Sequence, residues 1–179
     1  MKQEKSVYVV LSDTGSLLTK TIKVFTRAPY NHVSISFDPE LKQLYSFGRK
    51  TPNNPFSGGF VVENIDRGTF KKFHKTQCLV LKTKVDASSH QLLKERVASF
   101  VENEEKYHYN FIGLIGVLFK RRISRKNGYY CSHFVAETFE HANLLDGSTP
   151  PFLVKPYDFT QMLGLSPVYE GLLKEYETC

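Results

Sequence analysis

The stretch YNHVSISFDPELKQLYSFGRK, residues 30–50, restricts the fold more than any other part of the chain. Val33, Ile35 and Phe37 alternate with His32, Ser34 and Ser36, a period of two that an extended strand turns into one apolar and one polar face. DPELK supplies turn chemistry, and QLYSFGRK alternates again, with Ser46 between Tyr45 and Phe47. Residues 31–50 are therefore predicted to form a β-hairpin, whose apolar face needs a second layer to cover it.

SVYVVLS (6–12), FVVENI (60–65) and KTQCLVLKTKV (75–85) are rich in β-branched residues and predict further strands. Helices are predicted over 14–27, from the spacing of Leu17, Leu18, Ile22 and Phe25, and over 86–105. The second has a stripe of Leu92, Leu93, Val97, Phe100 and Val101, with Ser88 or Ser89 as its cap. YNFIGLIGVLF (109–119) is apolar on all sides and predicts a buried helix, and CSHFVAETFEHANLL (131–145) one that stops at DGSTPP. TPNNPFSGG (51–59) is loop chemistry, and the tail from 157 offers one or two short helices. The reading is a single α+β domain over residues 1–179, with a central antiparallel sheet packed against helices.

The three cysteines, Cys78, Cys131 and Cys179, are odd in number and lack metal-ligand spacing, which predicts free thiols in a reducing compartment. The charged opening MKQEKSVYVVLSDTG does not fit a signal peptide. The longest apolar run, FIGLIGVLF, has nine residues where a membrane span needs about twenty. The expected location is the cytoplasm. No HxxxH, CxxC or glycine-rich phosphate loop occurs, so neither a metal nor a cofactor is expected. The net charge of +6 falls in the short clusters FKKFHK, FKRRISRK and GRK. They read as solvated surface, without the interleaved aromatics of a nucleic-acid module, and nucleic acid is not an expected partner.

Two positions carry chemistry. Cys131 opens a predicted helix, where unpaired backbone N–H groups and the positive end of the dipole favour a thiolate and can hold an oxyanion. Tyr130 stands before it as a candidate cleft wall. His32 opens a strand on the face opposite Val33, Ile35 and Phe37, and Ser34 on that face is small enough to let a helix end approach. A catalytic histidine needs a group that fixes its ring. The hairpin register that keeps Tyr45 and Phe47 with Val33 and Ile35 brings Ser46 to the histidine side, and Glu63 and Asn31 are the other options.

YNHVSISFD, LYSFGRK and YYCSHFVAE together resemble the circularly permuted branch of the NlpC-type, papain-like superfamily, which includes the YiiX/YaeF-like hydrolases. Lecithin–retinol acyltransferases are more distant relatives. The likeness covers roughly residues 28–140, and the histidine strand precedes the cysteine helix, the order of the permuted branch. The resemblance implies a papain-like fold and a cysteine peptidase or amidase with Cys131 as nucleophile and His32 as base. It aligns Ser46 with the family's polar or acidic orienter, a departure that removes a carboxylate from that position. It also places Tyr109, in KYHYNFIGLIG, at the pocket, and Tyr130, Tyr109, Ser34 and Ser132 are the candidate substrate-binding residues. The expected substrate is a small peptide or amino-acid conjugate, in line with family members that cut amide bonds of cell-wall peptides.

Two other readings stand beside it. One is a lipid acyltransferase or phospholipase, for which FIGLIGVLFKRR would touch a membrane surface; a buried helix followed by a solvated turn is favoured over membrane contact. The other is a non-catalytic binding module, supported by the missing carboxylate at Ser46.

Overall fold

Strands β1 (Glu4–Asp13), β2 (His32–Ser36), β3 (Leu44–Thr51), β4 (Asn54–Glu63), β5 (Gln77–Asp86) and β8 (Ser166–Leu172) form one antiparallel sheet in the order β4-β3-β2-β1-β5-β8. The computed structural model describes residues 4–15, 28–51, 54–118, 121, 123, 125–162 and 164–177. The helix expected at 14–27 falls almost wholly outside the described residues, as does Cys179. Helices are α1 (Gly68–Lys72), α2 (Ala87–Glu102), α3 (Phe111–Leu118) and α4 (Cys131–His141). None of them is long and apolar enough to cross a membrane.

The predicted hairpin is β2–β3, with Ile35 opposite Tyr45, which is the register that keeps Ser46 beside Ser34. Its turn is held by the Asp38 carboxylate, which accepts from the N–H groups of Glu40 at 2.9 Å and Lys42 at 2.8 Å. Val33, Ile35 and Phe47 are fully buried with Val7, Val9 and Leu11 of β1 beneath α2 and α4. Phe47 and Phe60 of the sheet meet Phe100 of α2 and Phe134 of α4 at ring-centroid distances of 5.0–5.8 Å. Removing one such ring from a core costs about 3–5 kcal/mol, so this cluster fixes the height and rotation of α4 over the sheet. An Arg96–Glu137 ion pair joins α2 to α4 at its rim, with the guanidinium 4.5 Å over the Phe100 ring.

Several local expectations are corrected. Asp86, not Ser88 or Ser89, caps α2: its carboxylate accepts from Ser89 N–H at 2.9 Å because β5 runs to Asp86 without a break. Val101 is 41% exposed, off the helix's buried face. In α3, Ile112 is 49% exposed whereas Gly113, Gly116 and Val117 are buried, so the helix is buried on one face and not all round. The tail contributes β8, which pairs with β5 at the sheet's edge, in addition to short 3₁₀ turns. Two-residue strands β6 (His108–Tyr109) and β7 (Gly128–Tyr129) pair in parallel immediately before α4.

Candidate active site

Cys131 is the first residue of α4 and is 1% exposed. Tyr130, in extended conformation, caps the helix without a side-chain bond, which leaves the first-turn N–H groups of Cys131 and its neighbours outside the helical ladder. β7 runs directly into this helix start. Because Tyr109 lies opposite Tyr129 and Asn110 N–H donates to the Tyr129 carbonyl at 2.8 Å, the β6 strand is held alongside it.

His32 opens β2, paired with Ser12 of β1. Its Nε2 lies 3.0 Å from Oε2 of Glu63, the last residue of β4. The two belong to strands separated by β3, roughly 9–10 Å apart at the usual spacing, so their side chains must meet over the intervening strand. Gly48 makes that possible. A β-carbon there would stand 3.5 Å from His32 Cε1 and 3.9 Å from Glu63 Oε1, so any longer side chain would occupy the space in which they meet. Ser34 Oγ is 3.3 Å from the same Nε2 and donates to Glu63 Oε2 at 3.4 Å.

The Cys131 sulfur lies close enough to act on the titration of both His32 and the Tyr109 hydroxyl. Burial alone would lower the His32 pKa, but the Glu63 charge, the hydrogen bonds to Cys131 and Glu63 and the sulfur's charge outweigh it and raise the value to about 10. Burial together with the Cys131 charge and hydrogen bond holds the Tyr109 phenol well above its ordinary range. Both groups thus keep their protons at neutral pH. Arg49 lies within electrostatic reach of both Glu63 and Tyr109.

His32, Cys131 and Tyr109 come together where the sequence suggested. Ser46 does not join them: it is fully buried and donates to the Val33 carbonyl at 2.6 Å. Glu63, one of three options in the sequence, occupies the orienting position. The binding-module reading thereby loses its main support, because a carboxylate is present after all, supplied from β4 rather than β3. The Tyr130 hydroxyl donates to the Phe152 carbonyl, and Ser132 donates to the Val154 carbonyl at 2.6 Å. Both residues are buried, and their hydroxyls tie the start of α4 to the segment at 150–154; Tyr130 also lines a small cavity of about 40 Å³ with Asn110, His133 and Phe152. Ser34, 1% exposed, is engaged with His32 Nε2 and the Glu63 carboxylate. His133 stands apart, stacked on Tyr129 at 4.7 Å and 3.7 Å from Glu137.

No family model matches the chain, and no curated protein matches it. Among solved structures it is similar to YiiX of Escherichia coli O157:H7, described as a metalloprotein of the family DUF1105. The TM-score is 0.58 at 15% identity, over 93% of this chain and 97% of that one. At that identity the likeness is one of fold: the chain has a YiiX-like α+β fold in which a six-stranded antiparallel sheet packs against helices.

Proposed function

We propose that the protein is a cysteine-dependent hydrolase of the permuted NlpC-type, papain-like class, acting on an amide bond in a small peptide or amino-acid conjugate. The observation that carries the proposal is the cluster Glu63, His32, Cys131 and Tyr109, with His32 Nε2 3.0 Å from Glu63 and the sulfur at a helix N-terminus. Glu63 engages Nε2, so Nδ1 is the ring nitrogen that serves the thiol. The reaction starts from the ion pair in which the thiol proton already rests on His32, and the sulfur attacks the carbonyl carbon. The oxyanion that forms is held by the first-turn N–H groups of α4 and by the Tyr109 hydroxyl. The His32 imidazolium protonates the leaving amine, the C–N bond breaks, and a thioester remains on Cys131. Water, deprotonated by His32, then releases the acid.

The fold neighbour's description as a metalloprotein raises the question of a metal here. Among the described residues no group of three or more His, Cys, Asp and Glu side chains is placed to hold an ion. Nε2 of His32, the nearest imidazole donor, is taken up by Glu63. The described residues of the site do not fit a metal. A nucleophilic thiol is best preserved in a reducing compartment, and the cytoplasm is the location proposed.

A second reading, a lipid-type acyl substrate, is favoured by exposed apolar residues at and after α3. Ile112 is 49% and Ile123 40% exposed, with Arg121 and Arg125 exposed beside them, an apolar tip with a basic rim. Co-sedimentation with anionic liposomes, lost in Ile112→Ser/Ile123→Ser, distinguishes it.

The hydrolase reading is tested by iodoacetamide labelling mapped by mass spectrometry in wild type and His32→Ala. Cys78 and Cys131 are equally buried, at 0% and 1% exposure, so accessibility alone would label both slowly. Burial and the Glu170 charge push the Cys78 thiol up to about 12. Faster labelling of Cys131 that depends on His32 supports the proposal; equal, His32-independent labelling of the two overturns it.

A further inference from the structure

On the sheet beside Glu63 lies a groove of about 430 Å³, bounded by β3, β4 and the start of α1. That is the size of a small-ligand site. Arg49, Lys50 and Arg67 line it, with Lys42 at its outer end. Lys42 is paired with Glu40, whereas Lys50 and Arg67 form no ion pair among the described residues. The one acid among the lining residues is Glu63, whose charge is met by His32. Val61 and the half-exposed Val62 give the groove an apolar wall. Arg49 stands with its guanidinium 5.5 Å over the Phe73 ring, and it is the lining cation in reach of Glu63 and Tyr109, the two groups flanking the His32–Cys131 pair.

Positive side chains gathered around an apolar wall, with Glu63 of the His32 pair in the lining, suit a small organic anion. We propose that this groove binds a carboxylate or phosphate group, and that it is the subsite for the anionic part of the substrate whose amide bond Cys131 attacks. The substrate assignment rests on the hydrolase reading; the binding assignment does not. Arg49 supplies a planar guanidinium suited to bidentate contact, and Lys50 and Arg67 supply further positive charge.

Two measurements test the proposal. Inorganic phosphate and succinate are titrated separately into the ¹⁵N-labelled protein at low ionic strength, and amide shifts are followed at Gly68, Thr69 and Val62. Saturable shifts confined to the groove are expected, with affinity weakened about tenfold in Lys50→Gln/Arg67→Gln, the loss of two part-screened charge contacts. The tighter of the two anions tells phosphate from carboxylate. Absence of saturable shifts with both anions, or equal affinity in the double variant, overturns the site. The second measurement uses pairs of amide substrates that differ only in bearing a carboxylate or phosphate. Preference for the charged member, expressed as a ratio of kcat/KM, falls about tenfold in the same double variant; an unchanged ratio overturns the substrate assignment. The titration reads binding rather than turnover. An inert Cys131 with intact anion binding therefore sinks the hydrolase reading alone, and an active Cys131 without anion binding sinks the groove alone.

Discussion

Glu63 and His32 sit on strands that are not neighbours, yet their side chains meet at 3.0 Å across the glycine of the strand between them. The carboxylate does for the imidazole what burial would undo, keeping it protonated and fixing Nε2 as the outward-bonded nitrogen. Glu63→Gln preserves the shape and removes the charge. Its expected effect is a fall of roughly 10²–10⁴-fold in kcat/KM, the range associated with loss of a histidine's acidic partner or of acid–base help. The limb of the pH–rate profile that reports His32 deprotonation should move below about 10. A variant with full activity and an unmoved limb would show that Glu63 has no part in orienting the base.

The same ion pair makes stability depend on pH in a definite direction. The His32 pKa is raised from an ordinary value of 6.5 to about 10. The folded state therefore binds a proton that the unfolded state releases in this interval. The resulting stabilisation is fully present below about pH 6.5 and is lost as the pH rises through about 10. His32→Asn removes it. The difference in urea midpoint between wild type and His32→Asn should be greatest at pH 6 and shrink steadily toward pH 10. A pH-independent difference would mean that His32 is not charged in the folded protein.

Ser46→Ala separates structural from catalytic roles on the polar side of the hairpin. The hydroxyl is buried and donates to the Val33 carbonyl at 2.6 Å, and its removal leaves that oxygen without this donor at a cost of about 1 kcal/mol. A lower denaturation midpoint with the His32-dependent pH profile in place is expected. A change in that profile would restore Ser46 as the orienter.

The hairpin and its facing were legible because alternation restricts the pairing to registers that put Val33, Ile35, Tyr45 and Phe47 on one face, and the observed pairing of Ile35 with Tyr45 is one of these. The place of Cys131 at a helix start was legible from the abrupt beginning of that helix after NGYY. Selecting Glu63 over Ser46 was beyond alternation, since the contact spans two strands and depends on Gly48 being empty, and a glycine within an alternating run carries no pattern of its own. The hydroxyls of Tyr130 and Ser132 face carbonyls 22 residues away, at the far end of a loop whose path no periodicity encodes. β8 was hidden because SPVYEGL contains a proline and a glycine and is mostly exposed at the sheet's edge, where strand patterning is weakest.

Gly58 is the position where a single methyl group should disturb the site without touching any reacting atom. Tyr109 passes so close to β4 that a β-carbon at Gly58 would lie 2.6 Å from Tyr109 Cβ and 3.3 Å from the Gly48 carbonyl oxygen. Neither of those atoms belongs to the flexible end of a side chain, so the two-residue β6 strand must move, and the Tyr109 hydroxyl leaves Cys131. Gly58→Ala is expected to lower kcat as far as Tyr109→Phe does, by roughly 10-fold or more, as for the loss of one oxyanion donor. The double variant should lose little beyond either single one, because both act through the same hydroxyl. Losses that simply multiply in the double variant would place the effect of Gly58 elsewhere, in the backbone of β3 and β4.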